Sequence, residues 1–319
     1  MKLATKLLFT LLLSSNAYAV TNGTSVNWNN YQDMVEMDCT GTVIAGKFIL
    51  TAAHCTNDDY IRFSDSLSSG AWVSSIARID HDDAMIDVSL WTLPTSKNST
   101  QIHYFANLNQ NTVKNDEPLR LFGFGGTTTE NHPLNYATVK ARLDSSSPQM
   151  INGKFNNQGD STSGDSGGAW LNQNDEIVAI HNSGYGDTSF GTNLHYAKDF
   201  ILKTINGWHY PTLANTSNGS ATIKVQSLHV NPTIDAAYTS GDATITDRTC
   251  LNDIDIQPFS TCTYIVESQG AGTLHLSDSE SITINKPAPT SDSSGGDSGG
   301  SLGFLSLIGL LGLGFIRKK

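Results

Sequence analysis

Between residues 20 and 208, short runs alternate apolar and polar positions and are broken by turn residues. Gly41 to Leu50, Ala71 to Ile79, Leu119 to Gly123, Ala137 to Leu143 and Glu176 to His181 are the clearest. A period of two puts every second side chain on one face, so these runs predict strands of an antiparallel sandwich or barrel. Lys198 to Gly207 breaks the pattern: Phe200, Ile201 and Ile205 fit a short helix closing the region, with Trp208 after it. A second alternating region covers residues 209–286. Thr222 to Val225, Ala243 to Ile245, Cys262 to Val266, Thr273 to Leu276 and Ser281 to Ile284 alternate, punctuated by Pro232, Gly241, Gly270 and Gly272. This predicts a small, immunoglobulin-like β-sandwich.

Both ends depart from this pattern. Residues 1–19 carry Lys2 and Lys6, then the apolar run Leu7 to Leu13, then Ala17-Tyr18-Ala19, the form of a secretory signal peptide and its cleavage site. Residues 287–300 are, apart from Ala288 and Thr290, all Pro, Ser, Gly and Asp, too polar to build a core. They contain Gly296-Asp297-Ser298-Gly299-Gly300, with no strand before it and no histidine or aspartate partner after it. Residues 301–319 are nearly all apolar or glycine up to Arg317-Lys318-Lys319. Leu302 to Ile316 is shorter than the roughly 20 residues that usually span a bilayer.

The net charge of −11 argues against non-specific nucleic-acid binding, and no nucleic-acid partner is expected. Export permits disulfides. Cys39, Cys55, Cys250 and Cys262 allow three pairings, and their separation favours two local loops. Cys250–Cys262 would staple a C-terminal domain of under 80 residues. No cysteine or histidine cluster has metal-ligand spacing.

Three segments carry chemistry. Thr51-Ala52-Ala53-His54-Cys55 offers a base, Asp87-Val88-Ser89-Leu90 a carboxylate, and Gly164-Asp165-Ser166-Gly167-Gly168 a hydroxyl in a glycine-rich turn. A serine hydroxyl attacks well only when a base takes its proton, and the base needs a group to orient it. The order His, Asp, Ser differs from the subtilisin and α/β-hydrolase orders. Over about residues 20–208 the chain resembles the trypsin-like serine endopeptidases of the chymotrypsin superfamily.

The resemblance implies two packed six-stranded barrels with the site between them. His54, Asp87 and Ser166 would be catalytic, the N–H groups of Gly164 and Ser166 would form the oxyanion hole, and Cys39 would bond Cys55. Asp165 would pair with the α-amino group of a mature chain beginning at Val20, so signal peptidase itself would activate the enzyme. Asp160, six residues before Ser166, would be the buried base of a pocket for Arg or Lys, with Ser161 in its wall, Ser183 narrowing its entrance and Gly191 on its far wall. His181-Asn182-Ser183 stands where the family usually has Ser-Trp-Gly, and His181 would be pocket wall. Thr162 replaces an expected cysteine. No cofactor or metal is called for. Residues 301–319 resemble a Gly-Gly sorting tail of Gram-negative surface proteins, which implies the type II secretion machinery and an intramembrane sorting protease as partners. The protein would reach the cell surface or the medium, attached to the membrane only transiently.

Overall fold

The computed structural model describes residues 20–57, 59–66, 71–125, 134–156, 159–250 and 255–287. Residues 1–19 and 288–319, where a signal peptide, most of a linker and a sorting tail are expected, lie outside them. The described residues up to Lys286 form one compact unit.

Strand β1 (Thr24–Val26) opens the chain. Strands β2 (Met34–Glu36), β3 (Thr40–Ile44), β4 (Phe48–Thr51), β5 (Ala77–Asp80) and β6 (Ser89–Thr92) follow. They form an antiparallel sheet in the order β2-β3-β4-β6-β5. Gly41 to Leu50, expected as one run, is the β3–β4 hairpin. Ala45, Gly46 and Lys47 turn it: Ala45 and Gly46 have φ of 51° and 66°, and the Lys47 N–H closes the turn on the Ile44 carbonyl at 3.2 Å. Ala71 to Ile79 is strand only from Ala77; Val73 makes a lone bridge to Ile61. Alternation alone does not supply a pairing partner.

Strands β7 (Pro118–Gly123), β8 (Leu134–Leu143), β9 (Met150–Phe155), β10 (Ala169–Leu171), β11 (Ile177–Tyr185) and β12 (Thr188–Asn193) join β1 in a second antiparallel sheet. Its order is β1-β8-β7-β10-β11-β12-β9, and β8 also pairs with β9, which closes a barrel. Long β8 alternates buried and open positions along most of its length, as a strand with one core face must. Trp170 is fully buried among Leu119, Leu121, Val139 and Ile151. The expected helix is α1 (Lys198–Ile205), ended by Asn206 in the left-handed conformation, its N–H bonding the Leu202 carbonyl.

After α1 come β13 (Trp208–His209), β14 (Leu213–Ala214), β15 (Ser220–Ser227), β16 (Tyr238–Gly241), β17 (Thr244–Arg248), β18 (Thr261–Glu267), β19 (Gly272–His275) and β20 (Ser281–Ile284). They make two four-stranded sheets, β13-β15-β18-β17 and β14-β20-β19-β16. The sheets share a core of Ile223, Val225, Tyr264, Val266, Leu274 and Ile282. Cys250 and Cys262 are bonded. Buried Asp235 accepts from the Tyr264 hydroxyl at 2.9 Å and from Arg248 at 3.0 Å.

Polar groups lock these sheets to the earlier part of the unit. Gln226, 1% exposed, accepts from the Phe105 N–H at 3.0 Å and donates to the Phe105 carbonyl at 2.8 Å and the Phe259 carbonyl at 3.0 Å. His209 is fully buried. Its Nδ1 accepts from the Ala45 N–H at 2.9 Å, and its Nε2–H donates to the His103 carbonyl at 2.8 Å. Burial pushes its pKa down to about 4, so the ring stays neutral. Gln226→Leu would strand two buried backbone groups of Phe105. It should lower the unfolding free energy, read by urea denaturation, by about 2–4 kcal/mol. A loss within error of zero would show that the lock contributes nothing.

Candidate active site

His54 sits in the turn after β4, where three anchors hold it. The Cys55 N–H bonds the Ala52 carbonyl at 3.1 Å, and Cys55 is bonded to Cys39 with 6.2 Å between their Cα atoms. The Arg78 guanidinium, on β5, donates to the carbonyls of both Ala53 and Cys55, the latter at 2.6 Å. Asp87, just before β6, then receives two donors from His54: the backbone N–H at 2.9 Å and ring Nδ1 at 2.7 Å. With Nδ1–H committed to the carboxylate, Nε2 keeps its lone pair, and it lies 2.7 Å from Ser166 Oγ. The hydrogen bond to Asp87, and secondarily its charge, raise the His54 pKa above the ordinary 6.5 against an opposing effect of burial.

Close backbone packing shapes the Ser166 turn. Gly164 and Gly167 have φ of 98° and 81°, where a side chain is strained. A Cβ on Gly167 would lie 2.4 Å from the Thr40 carbonyl, and one on Gly168 2.0 Å from that of Phe122. The Gly167 N–H bonds the His181 carbonyl at 2.7 Å, and the His181 N–H bonds the Gly168 carbonyl at 2.8 Å. Among the described residues the N–H groups of Gly164 and Ser166 have no acceptor, so two donors remain beside Oγ.

Asp165 is completely buried. Its carboxylate accepts from the N–H of Gly125 at 2.8 Å, of Thr162 at 2.7 Å, and of Val20. Burial raises its pKa to about 6 despite those donors. Val20, 0% exposed, is therefore held against Asp165, and its φ of 42° is unfavourable for a β-branched residue.

Four expected placements change. Asp160 is exposed rather than buried at the end of a slot; its N–H bonds the Thr21 carbonyl at 2.8 Å. Ser161 is half-buried, and its Oγ accepts from Ser189 at 2.6 Å. Gly191 faces the Trp170 ring, 3.1 Å from where its Cβ would stand, so the residue beside Ser161 on β12 is Ser189, two positions earlier. His181 is buried beneath the Ser166 turn, stacked on Trp170, with its pKa pushed down to about 3 by burial; it is not pocket wall. Ser183 is exposed, and its hydroxyl donates to Asn182 Oδ1 at 2.8 Å. A bulge between His181 and Ser183 shifts the register, so Gly184 is the residue that faces Ser161.

Sequence reasoning missed Asn182. Its Nδ2 donates to Asp87 Oδ2 at 2.9 Å and completes the donors around that oxygen. The available signal was a polar amide just past the apolar run Ile177 to Ile180. Cys39, His54 and Cys55 bring three possible metal-ligating atoms within 4.8 Å of one another, but both sulfurs are in the disulfide and offer no thiolate.

A serine on a closed barrel, in hydrogen-bond series with a histidine and a carboxylate beside the five-stranded sheet, is the arrangement of a serine peptidase. The family model described as Trypsin matches residues 18–205, and the chain belongs to that family: it is a serine protease that hydrolyses peptide bonds. Several solved structures are similar. The secreted serine protease VesC from Vibrio cholerae is 13% identical, with 82% of this chain and 71% of that one covered and a TM-score of 0.45. Neuropsin of mouse brain is 21% identical, covering 57% and 98%, with a TM-score of 0.48. A mutant of human heparin binding protein is 15% identical, covering 58% and 96%, at 0.48. No curated protein sequence matches.

Titrating the His54 ring by NMR should give a pKa above 6.5, and Asp87→Asn should move it down, because the carboxylate is what favours the imidazolium. An unchanged value in that variant would remove Asp87 as the cause.

Proposed function

We propose that the chain is an exported endopeptidase cleaving after Arg or Lys, with Ser166 as nucleophile, His54 as base and Asp87 as its orienter. The unbroken series Asp87–His54–Ser166, 2.7 Å at each link, carries this reading. As Oγ attacks the scissile carbonyl, its proton passes to His54 Nε2, and Asp87 stabilises the imidazolium. The carbonyl oxygen becomes an oxyanion received by the N–H groups of Gly164 and Ser166. The imidazolium returns its proton to the departing amine, leaving an acyl-enzyme on Ser166. Water, deprotonated by the same His54, releases the acid. A missing donor in such a hole costs roughly 3 kcal/mol of transition-state stabilisation.

Asp160 supports the basic specificity. Its carboxylate is hydrated in the free protein, and a guanidinium or ammonium arriving beside it exchanges water for a charged hydrogen bond. Ser161, Ser189 and Gly184 form the adjacent wall. The five-stranded sheet corresponds to the second barrel, and residues 209–286 to an immunoglobulin-like sandwich. Secretion through residues 1–19 and sorting through residues 301–319 complete this reading.

Val20 and Asp165 support activation by cleavage before Val20. A φ angle needs a preceding carbonyl carbon, so hydrolysis abolishes the strain at Val20. It also converts a neutral N–H donor into an ammonium beside a buried carboxylate.

Two experiments test this. N-terminal sequencing of the exported protein should begin at Val20, and matched peptides should be turned over with Arg or Lys, not Phe or Ala, before the scissile bond. Ser166→Ala should lower kcat by roughly a million-fold, and Asp160→Ser should lower the Arg preference about a hundredfold. Efficient Phe cleavage would refute Asp160 as the carboxylate that selects a basic side chain. The second experiment uses pH. With its pKa raised from 3.8 to about 6, Asp165 costs the uncleaved chain stability as pH climbs through that window. An ammonium offsets the cost. The Ser166→Ala protein beginning at Val20 should gain Tm, relative to the same protein carrying one extra residue, as pH rises from 4 to 7. Parallel curves would sink the pair.

A further inference from the structure

A cavity of about 460 Å³ adjoins Gly164 and lies apart from Asp160 and Ser161. Buried Met37 and Phe124 line it, and Tyr60 and Trp72 stand at its edge. Those two rings meet edge to face at 5.6 Å and remain 52% and 40% exposed. Asp38 and Asn57, also lining it, flank the Cys39–Cys55 disulfide that holds His54.

The reaction's geometry gives this cavity a direction. In the mechanism proposed above, the scissile carbonyl oxygen would point at Gly164, the acyl side would lie along Ser161 and Gly184, and the departing amine would face His54, which protonates it. A cavity lined by Gly164 and by residues next to the disulfide would then lie on the departing side.

Its charges select among side chains. Glu36 lies 3.5 Å from Arg62, whose guanidinium also covers the Trp72 ring at 3.8 Å. The Asp38 carboxylate is bonded to the neutral amide of Asn57 at 2.5 Å, and among the described residues no cation pairs with it. Among the described residues, these two carboxylates against one guanidinium leave an excess of one carboxylate beside exposed aromatic faces. Lys and Arg combine a cationic head for Asp38 with an aliphatic stem that lies well on aromatic rings.

Resting on the proteolytic role above, we propose that this cavity is a substrate subsite taking a basic side chain from the first two residues after the scissile bond, with Asp38 setting the preference. The enzyme would then cut best after an Arg or Lys that is followed, at the first or second position, by another basic residue.

Quenched peptides with Arg before the scissile bond, and Lys, Leu or Glu at the first or second position after it, test the idea. An Arg ester without any residue on the departing side runs beside them. At one of the two positions Lys should exceed Glu in kcat/KM by about tenfold. That ratio should shrink in Asp38→Asn, and in the wild type as salt rises. Ester turnover with equal cleavage of all peptides overturns the subsite. A Lys preference that survives Asp38→Asn overturns the role of Asp38. An ester left intact by the folded, Val20-start protein would instead strike down the proteolytic specificity on which the subsite rests.

Discussion

Burial of the Asp165 carboxylate is the constraint on which the site depends. A carboxylate with no solvent must collect donors, and Asp165 collects them from three separate stretches of chain: Val20, Gly125 and Thr162. Those bonds fix the backbone of Gly164 and Ser166 on either side of it. Glycine makes the approach possible, because a Cβ on Gly123 would lie 2.1 Å from Asp165 Oδ1. The nucleophile is therefore positioned less by its own contacts than by its neighbour's need for hydrogen bonds.

Both major sheets contribute through backbone polar groups. The Thr40 N–H, on β3, bonds the Ser166 carbonyl at 2.8 Å, and the Thr40 hydroxyl donates to that of Gly164 at 2.9 Å. His181, on β11, holds Gly167 and Gly168. The base arrives on another anchor, the Arg78 clamp and the disulfide. The nucleophile and the base are thus fixed by different rigid elements, and a preorganised site of this kind needs little rearrangement as charge develops.

What could be read from the sequence follows from how local each feature is. His54, Asp87 and Ser166 lie in short contiguous segments whose order and neighbours carry meaning, and the structure brings the three together. The strands with strong alternation, β7, β8, β15 and β18, were legible because one of their faces is buried. Asn182 and Ser189 were not, because a bulge in β11 decides which side chain faces Asp87 and which faces Ser161, and no local pattern announces it. The exposure of Asp160 was equally hidden: burial is set by strands far away in sequence. The short β13 and β14 form through pairing with β15 and β20 rather than through any alternation of their own.

The lock between Gln226 and Phe105 reaches beyond stability. Its three hydrogen bonds, together with those of His209, run across the boundary at Trp208 where composition suggests a seam. A module that could be exchanged between proteins would present a surface able to face water alone. Here, cutting at that seam would expose unpaired amides and a buried imidazole on both fragments. The two parts are therefore not interchangeable one at a time: a swap of either must carry along the matching polar groups of the other.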